Sequence, residues 1–188
     1  MTHMAGHQRI NRILLTGFMG AGKTTVGILL AESLGWRFLD LDQHLESRHQ
    51  STVAEIFSQH GEPHFRALET DSLASVLTAQ TIVIALGGGA LESPANRAAI
   101  AQSQGTELVY LDAPLDTLLQ RIDQQPNASP RPKLTDREST AALHTARLPN
   151  YRAASLHIDT TSLTPHDVAQ RILSALHLHT LQQDEKNT

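Results

Sequence analysis

The sequence predicts an α/β fold, a mainly parallel β-sheet covered by helices on both faces. Three observations carry that reading. Short apolar runs of strand length alternate with stretches of helical periodicity along most of the chain. The first such run passes directly into glycines that open a helix, as the first turn of an α/β unit does. The runs Thr81–Leu86 (TIVIAL) and Glu107–Asp112 (ELVYLD) are nearly continuous in apolar residues, the pattern of strands buried on both faces.

Taken in order, Arg12–Thr16 (RILLT) is the first predicted strand and Lys23–Leu34 the first predicted helix, stopped by Gly35. A second strand is predicted at Arg37–Asp40, followed by helical stretches at about Gln43–His49, Val53–His60 and His64–Leu77. A helix around Asn96–Gln104 separates the two buried-type strands. The next predicted helix, Pro114–Gln124, starts with a proline suited to a first helical turn. Periodicity then disappears from Gln125 to Thr135, where Pro126, Pro130 and Pro132 cluster; a loop of that length in a compact domain points to function. A helix near Arg137–Ala146, a last strand at Leu156–Asp159 and an amphipathic helix at Pro165–Leu178 complete the pattern, and the polar tail after Leu181 is expected to fray.

Composition narrows the function classes. The 188 residues are 40% hydrophobic, enough for one core, and carry a net charge of −4, which argues against a nucleic-acid partner. There is no cysteine, so disulfides, thiolate metal sites and cysteine nucleophiles are excluded. No apolar run has the length of a membrane span, and Met1–Arg12 is polar and His-containing, unlike a signal peptide, so a cytoplasmic protein is expected. Of the 15 basic residues 12 are arginine, leaving only Lys23, Lys133 and Lys186.

One of those lysines completes a motif. Gly17-Phe-Met-Gly20-Ala21-Gly22-Lys23-Thr24 fits G-x-x-x-x-G-K-[ST] between a predicted strand and a predicted helix, and a chain of this composition would show it by chance about 0.002 times. The glycines let backbone N–H groups turn toward phosphates, and the helix start adds its positive end. Lys23 is placed to reach β- and γ-phosphates and Thr24 to coordinate Mg²⁺.

Three further groups bear on the phosphoryl acceptor. Asp40 and Asp42 lie at the end of the second strand, where ligands bind in open α/β sheets; in an extended segment both carboxylates would share a face, though Asp42 could equally cap the following helix. Arg66 and Glu69 stand at i, i+3, so Glu69 could hold Arg66 toward a substrate carboxylate, or the two could form a plain surface pair. Gly87-Gly88-Gly89 follows a core strand and lets a ligand approach bare backbone, although a simple turn would also use glycine. Asp112 imitates the acidic residue of a Walker-B strand, but its place just before Ala113-Pro114 favours a helix cap. The pairs His60/His64 and His177/His179 lack an accompanying zinc motif.

With GFMGAGKTT, LDLD, GEPHFRALE, LGGGA, RPKL, RLPNYR and IDTTSLTP in order over about residues 12–175, the chain resembles the shikimate kinase family. The resemblance implies a three-layer P-loop kinase fold like that of nucleoside-monophosphate kinases, with a five-stranded parallel sheet in the order 2-3-1-4-5. It also implies one domain over 1–188, with a helical shikimate-binding region at about 42–70, a lid at about 124–138 and a frayed tail at about 182–188. The implied reaction moves the ATP γ-phosphoryl group to the 3-hydroxyl of shikimate, a step of aromatic amino-acid (chorismate) biosynthesis. By the same resemblance Asp42 is the candidate base and binds shikimate hydroxyls, Arg66 and Arg147 grip its carboxylate, and Gly87, Gly88 and Gly89 line its pocket. ATP falls to Gly20, Ala21, Gly22, Lys23, Thr24, Thr25, Arg121 on the adenine and Arg131 from the lid; Mg²⁺ falls to Thr24 and, through water, Asp40. Lys23 and Arg131 join Asp42 as catalytic residues. The implied partners are shikimate and ATP, with no nucleic acid and no membrane, acting on a monomer. Lys133 departs from the family, many of whose members carry leucine there. Two rivals share the phosphate loop: a kinase of another small acceptor such as gluconate, and a nucleotide-dependent binding protein without transfer.

Overall fold

The computed structural model describes residues 9–124 and 136–178. The predicted tail, His179, Arg131, Lys133 and most of the predicted lid lie outside the described residues.

Five strands form one parallel sheet: β1 (Arg12–Thr16), β2 (Arg37–Asp40), β3 (Ile82–Ala85), β4 (Thr106–Asp112) and β5 (Leu156–Asp159), in the order β2-β3-β1-β4-β5. The inner strands β1 and β3 are buried at every position, as their unbroken apolar runs require. The helices are α1 (Lys23–Leu34), α2 (Leu41–His49), α3 (Val53–Val76), α4 (Pro94–Gln102), α5 (Leu115–Asp123), α6 (Arg137–Tyr151) and α7 (Pro165–Ala175). Chain direction sorts them between the faces. The crossover from β1 to β2 runs one way along the sheet and those from β2 to β3 and β3 to β4 run the other, so right-handed connections put α1 opposite α3 and α4. α7 packs on α1 and α3 on α4. The core, centred on Leu14, Leu15, Leu30, Ile84 and Tyr110, lies between these layers. A second cluster around Leu45, Ile56 and Phe65 joins α2 to α3 beside the C-terminal edge of β2 and β3.

The two helical stretches predicted at Val53–His60 and His64–Leu77 are both present within α3, separated by non-helical backbone at Gly61 (φ 78°, ψ 171°). Three readings need correction. α6 runs past Ala146 and through Pro149 to Tyr151, because Arg147 and Tyr151 are buried and hold its last turn. Asp42 is not extended: α2 begins at Leu41, and Asp40, whose carboxylate accepts from the N–H of Asp42 and Gln43, is its cap. Asp112 caps no helix among the described residues. The N-cap of α5 is Pro114, and Asp112 Oδ1 accepts the Tyr110 hydroxyl at 2.7 Å.

Candidate active site

The C-terminal edge of the sheet gathers the loops after β1, β2 and β3. After β1, Gly17, Gly20 and Gly22 have φ of 144°, 79° and 87°, backbone that side chains rarely adopt, and a Cβ at Gly17 would stand 2.6 Å from the Leu111 carbonyl oxygen. The loop is therefore a tight turn that only glycine fits at these positions. α1 has no side-chain cap and no acid in its first turn, unlike α2, α3, α4, α6 and α7, each capped by a side-chain oxygen. The amides of Lys23, Thr24 and Thr25 thus form an anion-attracting end. Lys23 Nζ folds over the loop and donates to the carbonyls of Gly17 at 2.9 Å and Phe18 at 3.1 Å. The buried Phe18 ring meets His144 of α6 edge-on, with centroids 5.0 Å apart, and burial lowers the His144 pKa.

Asp40 ties this loop to the acceptor side. Oδ1 caps α2, while Oδ2 accepts the Thr24 hydroxyl at 2.8 Å. A hydroxyl and a carboxylate held together beside a phosphate loop are the hard oxygen donors that Mg²⁺ prefers.

The acceptor-side groups surround the glycine turn after β3. A Cβ at Gly87 would lie 2.6 Å from Asp42 Oδ1 and 2.9 Å from Glu69 Oε1; one at Gly89 would strike the Arg66 guanidinium. At Gly88 it would be 3.4 Å from Arg147 Nη1 and 3.9 Å from the Gly17 carbonyl oxygen. One bare turn therefore faces Asp42, Arg66 and Arg147, and at Gly88 it also lies next to Gly17 of the phosphate loop. Its backbone is fixed by the buried Tyr151 hydroxyl, which donates to the Gly88 carbonyl at 2.5 Å; burial pushes the Tyr151 pKa up to about 12, so the hydroxyl stays protonated as a donor.

Arg66 and Glu69 form no surface pair. Arg66 Nη1 donates to Glu69 Oε2 at 2.7 Å, and Glu69 is 1% exposed. Burial works to lower the Arg66 pKa, yet Glu69, Glu92 and Glu62 outweigh it and the net direction is up. Burial raises the Glu69 pKa more than Arg66 lowers it, and nearby Asp42 adds to the rise. Glu69 Oε1 is buried with no hydrogen-bond partner among the described residues. Arg66 Nη2 also reaches Glu62 and Glu92, both at 3.1 Å. The buried Arg147, on α6, donates to that same Glu92 oxygen at 2.9 Å.

A sequence model of the family described as "Shikimate kinase" matches residues 19–177. The chain belongs to the shikimate kinase family. It is 39% identical to the shikimate kinase of Geobacter metallireducens over 89% of this chain and 92% of that one. Identity to the shikimate kinase of Moorella thermoacetica is 43%, over 87% of this chain and 93% of the other. The solved shikimate kinase of Acinetobacter baumannii in complex with shikimate superposes with a TM-score of 0.82 at 37% identity, covering 90% and 94% of the two chains. Family membership makes the chain an ATP-dependent kinase with the P-loop kinase fold, and its sheet has the expected 2-3-1-4-5 order.

Among the residues expected of a shikimate kinase, Lys23, Thr24 and Asp40 share one end of the cleft, while Asp42, Arg66, Gly87 to Gly89 and Arg147 share the other. Arg121 stands apart from that group. Its guanidinium, near the end of α5, donates to the Thr160 hydroxyl at 3.0 Å and the Thr160 carbonyl at 2.6 Å. Two site-forming residues escaped the sequence reading. Tyr151 lies within the quoted RLPNYR but was passed over beside Arg147, and Glu92 follows the glycine triplet by three positions with no motif to mark it. Among the described residues no helix is long and apolar enough to cross a membrane.

Proposed function

We propose that this cleft transfers the γ-phosphoryl group of ATP to the 3-hydroxyl of shikimate, giving shikimate 3-phosphate and ADP, with the residue roles that follow. The observation that carries the reading is the Gly87–Gly89 turn, which abuts Gly17 of the phosphate loop and the Asp42, Arg66 and Arg147 side chains together. An acceptor lying on that turn has its reacting hydroxyl beside the phosphates, so transfer needs no large movement of either substrate.

Phosphoryl transfer asks a protein chiefly to position the reactants and to cancel negative charge. The α1 amides and Gly20 to Thr25 cradle the phosphates, and Lys23 leaves the Gly17 and Phe18 carbonyls to follow the charge on the moving group. Thr24 and Asp40 are the residues that would hold Mg²⁺, which when bound neutralises phosphate charge. Asp42 orients the acceptor hydroxyl and takes its proton at a carboxylate oxygen. Arg66 and Arg147 bind the shikimate carboxylate with planar donor forks, and buried Glu69 keeps Arg66 aimed. Arg121, its guanidinium fastened to Thr160, offers a flat face for adenine, and Arg131 of the lid sequence serves the phosphates.

A coupled assay of ADP release with shikimate and Mg·ATP tests the proposal, with gluconate as the competing acceptor. Turnover on shikimate and little on gluconate is the expected result. A folded protein that turns over gluconate, or that binds ATP without phosphorylating shikimate, refutes it.

A further inference from the structure

Two arginines on different helices meet at one oxygen. Glu92 Oε2 stands 3.1 Å from Arg66 Nη2 and 2.9 Å from Arg147 Nη2, so a side chain of the protein holds donors that a bound carboxylate would need. Arg147 is 5% exposed, and its Nε is buried with no hydrogen-bond partner among the described residues, so this pocket keeps donor capacity that Glu92 does not use. Glu92 closes the short 3-10 turn Ala90–Glu92, and Arg97 Nη1 grips the main-chain oxygens of Leu91 and Glu92 at 2.6 and 3.0 Å. The backbone there is tied down, while the side chain is 36% exposed. Leaving the arginines therefore requires only side-chain rotation toward solvent.

We infer that Glu92 is an internal competitor for the substrate-carboxylate subsite, a residue that sets both acceptor affinity and selectivity for acceptors bearing a carboxylate. The inference rests on the carboxylate-binding role proposed above for Arg66 and Arg147. An acceptor carboxylate replaces the Glu92 charge with its own, so both guanidinium groups stay neutralised. A neutral polyol has no charge to offer and leaves Glu92 in place. Because Glu92 is part-exposed, its hold on the arginines is a modest tax on binding, of the order expected for a solvent-screened ion pair.

The test is Glu92→Gln, an isosteric change at a part-exposed site, with Glu92→Ala as a second variant. Shikimate KM and the inhibition constant of cyclohexanecarboxylate, a carboxylate without the ring hydroxyls, should both fall about threefold to tenfold in both variants. The KM for ATP should stay within about twofold, which separates release of this subsite from a general change in the cleft. Unchanged or raised values for shikimate and the probe would overturn the inference and make Glu92 a brace that positions the arginines. Arg66→Ala distinguishes the two failures. If it raises shikimate KM while the Glu92 variants do not lower it, only the competitor role falls; if it too leaves KM unchanged, the carboxylate-binding reading falls with it.

Discussion

Replacing Arg66 by alanine separates two jobs done by one guanidinium. In stability, the change strands Glu69, which is 1% exposed and receives Arg66 Nη1 at 2.7 Å. Breaking a buried pair costs roughly 3–5 kcal/mol, and the 20% exposure of the Arg66 side chain reduces this to about 2–3 kcal/mol. For a chain of this size that is a fall in Tm of about 5–10 °C. The loss depends on pH with a definite sign. Burial already raises the Glu69 pKa above its ordinary 4.5, and without Arg66 the main opposing charge is gone. The folded variant then holds a proton that the unfolded chain releases above about 4.5, so its stability declines as pH rises through that window. Adding Glu69→Gln should restore much of the Tm at pH 8 and little at pH 4.5. In function, loss of a charge-assisted fork should raise shikimate KM about tenfold to a hundredfold, and Glu69→Gln should not rescue it. Melting curves at the two pH values, with steady-state kinetics at neutral pH, read both effects. A shikimate KM within twofold of the original, beside the expected fall in Tm, would make the pair structural and remove Arg66 from the pocket.

Lys23→Ala should reduce kcat by about a hundredfold or more with little change in Tm, since its charge matters most as the transition state develops; an unaltered kcat refutes that role. Gly87→Ala should force a methyl against Asp42 Oδ1 and Glu69 Oε1, at a cost of about 1–3 kcal/mol and a ten- to hundredfold fall in kcat/KM; normal kinetics would show that the two carboxylates can yield freely. Tyr151→Phe should remove the donor to the Gly88 carbonyl, lowering Tm by about 2–4 °C and raising KM for shikimate more than for ATP, and equal effects on both constants would contradict its place behind the acceptor turn.

The phosphate loop could be read from the sequence because its geometry is local: glycine spacing, one lysine and the adjoining helix start lie within eight residues. The Arg66–Glu69 contact was legible as well, from helical spacing, but its burial was not, because burial depends on what the rest of the chain lays over it. Asp40 and Asp42 show the opposite. The two-residue spacing suggested one extended face, yet the helix begins at Leu41, two residues before the predicted start, and divides their work between a cap joined to Thr24 and a carboxylate beside Gly87. Asp112 was misread because a helix start nearby suggested a cap, while the Tyr110 hydroxyl was the nearer partner. Tyr151 stood inside RLPNYR, yet its bond to Gly88 reaches far along the chain and no local spacing marks it; Glu92 has no motif, and its partners Arg66 and Arg147 lie on two different helices.

By itself the sequence determined the parallel α/β plan, the phosphate loop and, through ordered motifs, the family. These rest on periodicity, backbone permissiveness and short spacings, all set by neighbours along the chain. Only the tertiary structure decided that the glycine turn after β3 lies against the phosphate loop, that Glu69 is buried, and that Glu92 joins two arginines from α3 and α6. The first contact follows from β3 lying beside β1, a pairing that brings residues some seventy positions apart together at one sheet edge, and the other two from α3 and α6 packing on the turn after β3.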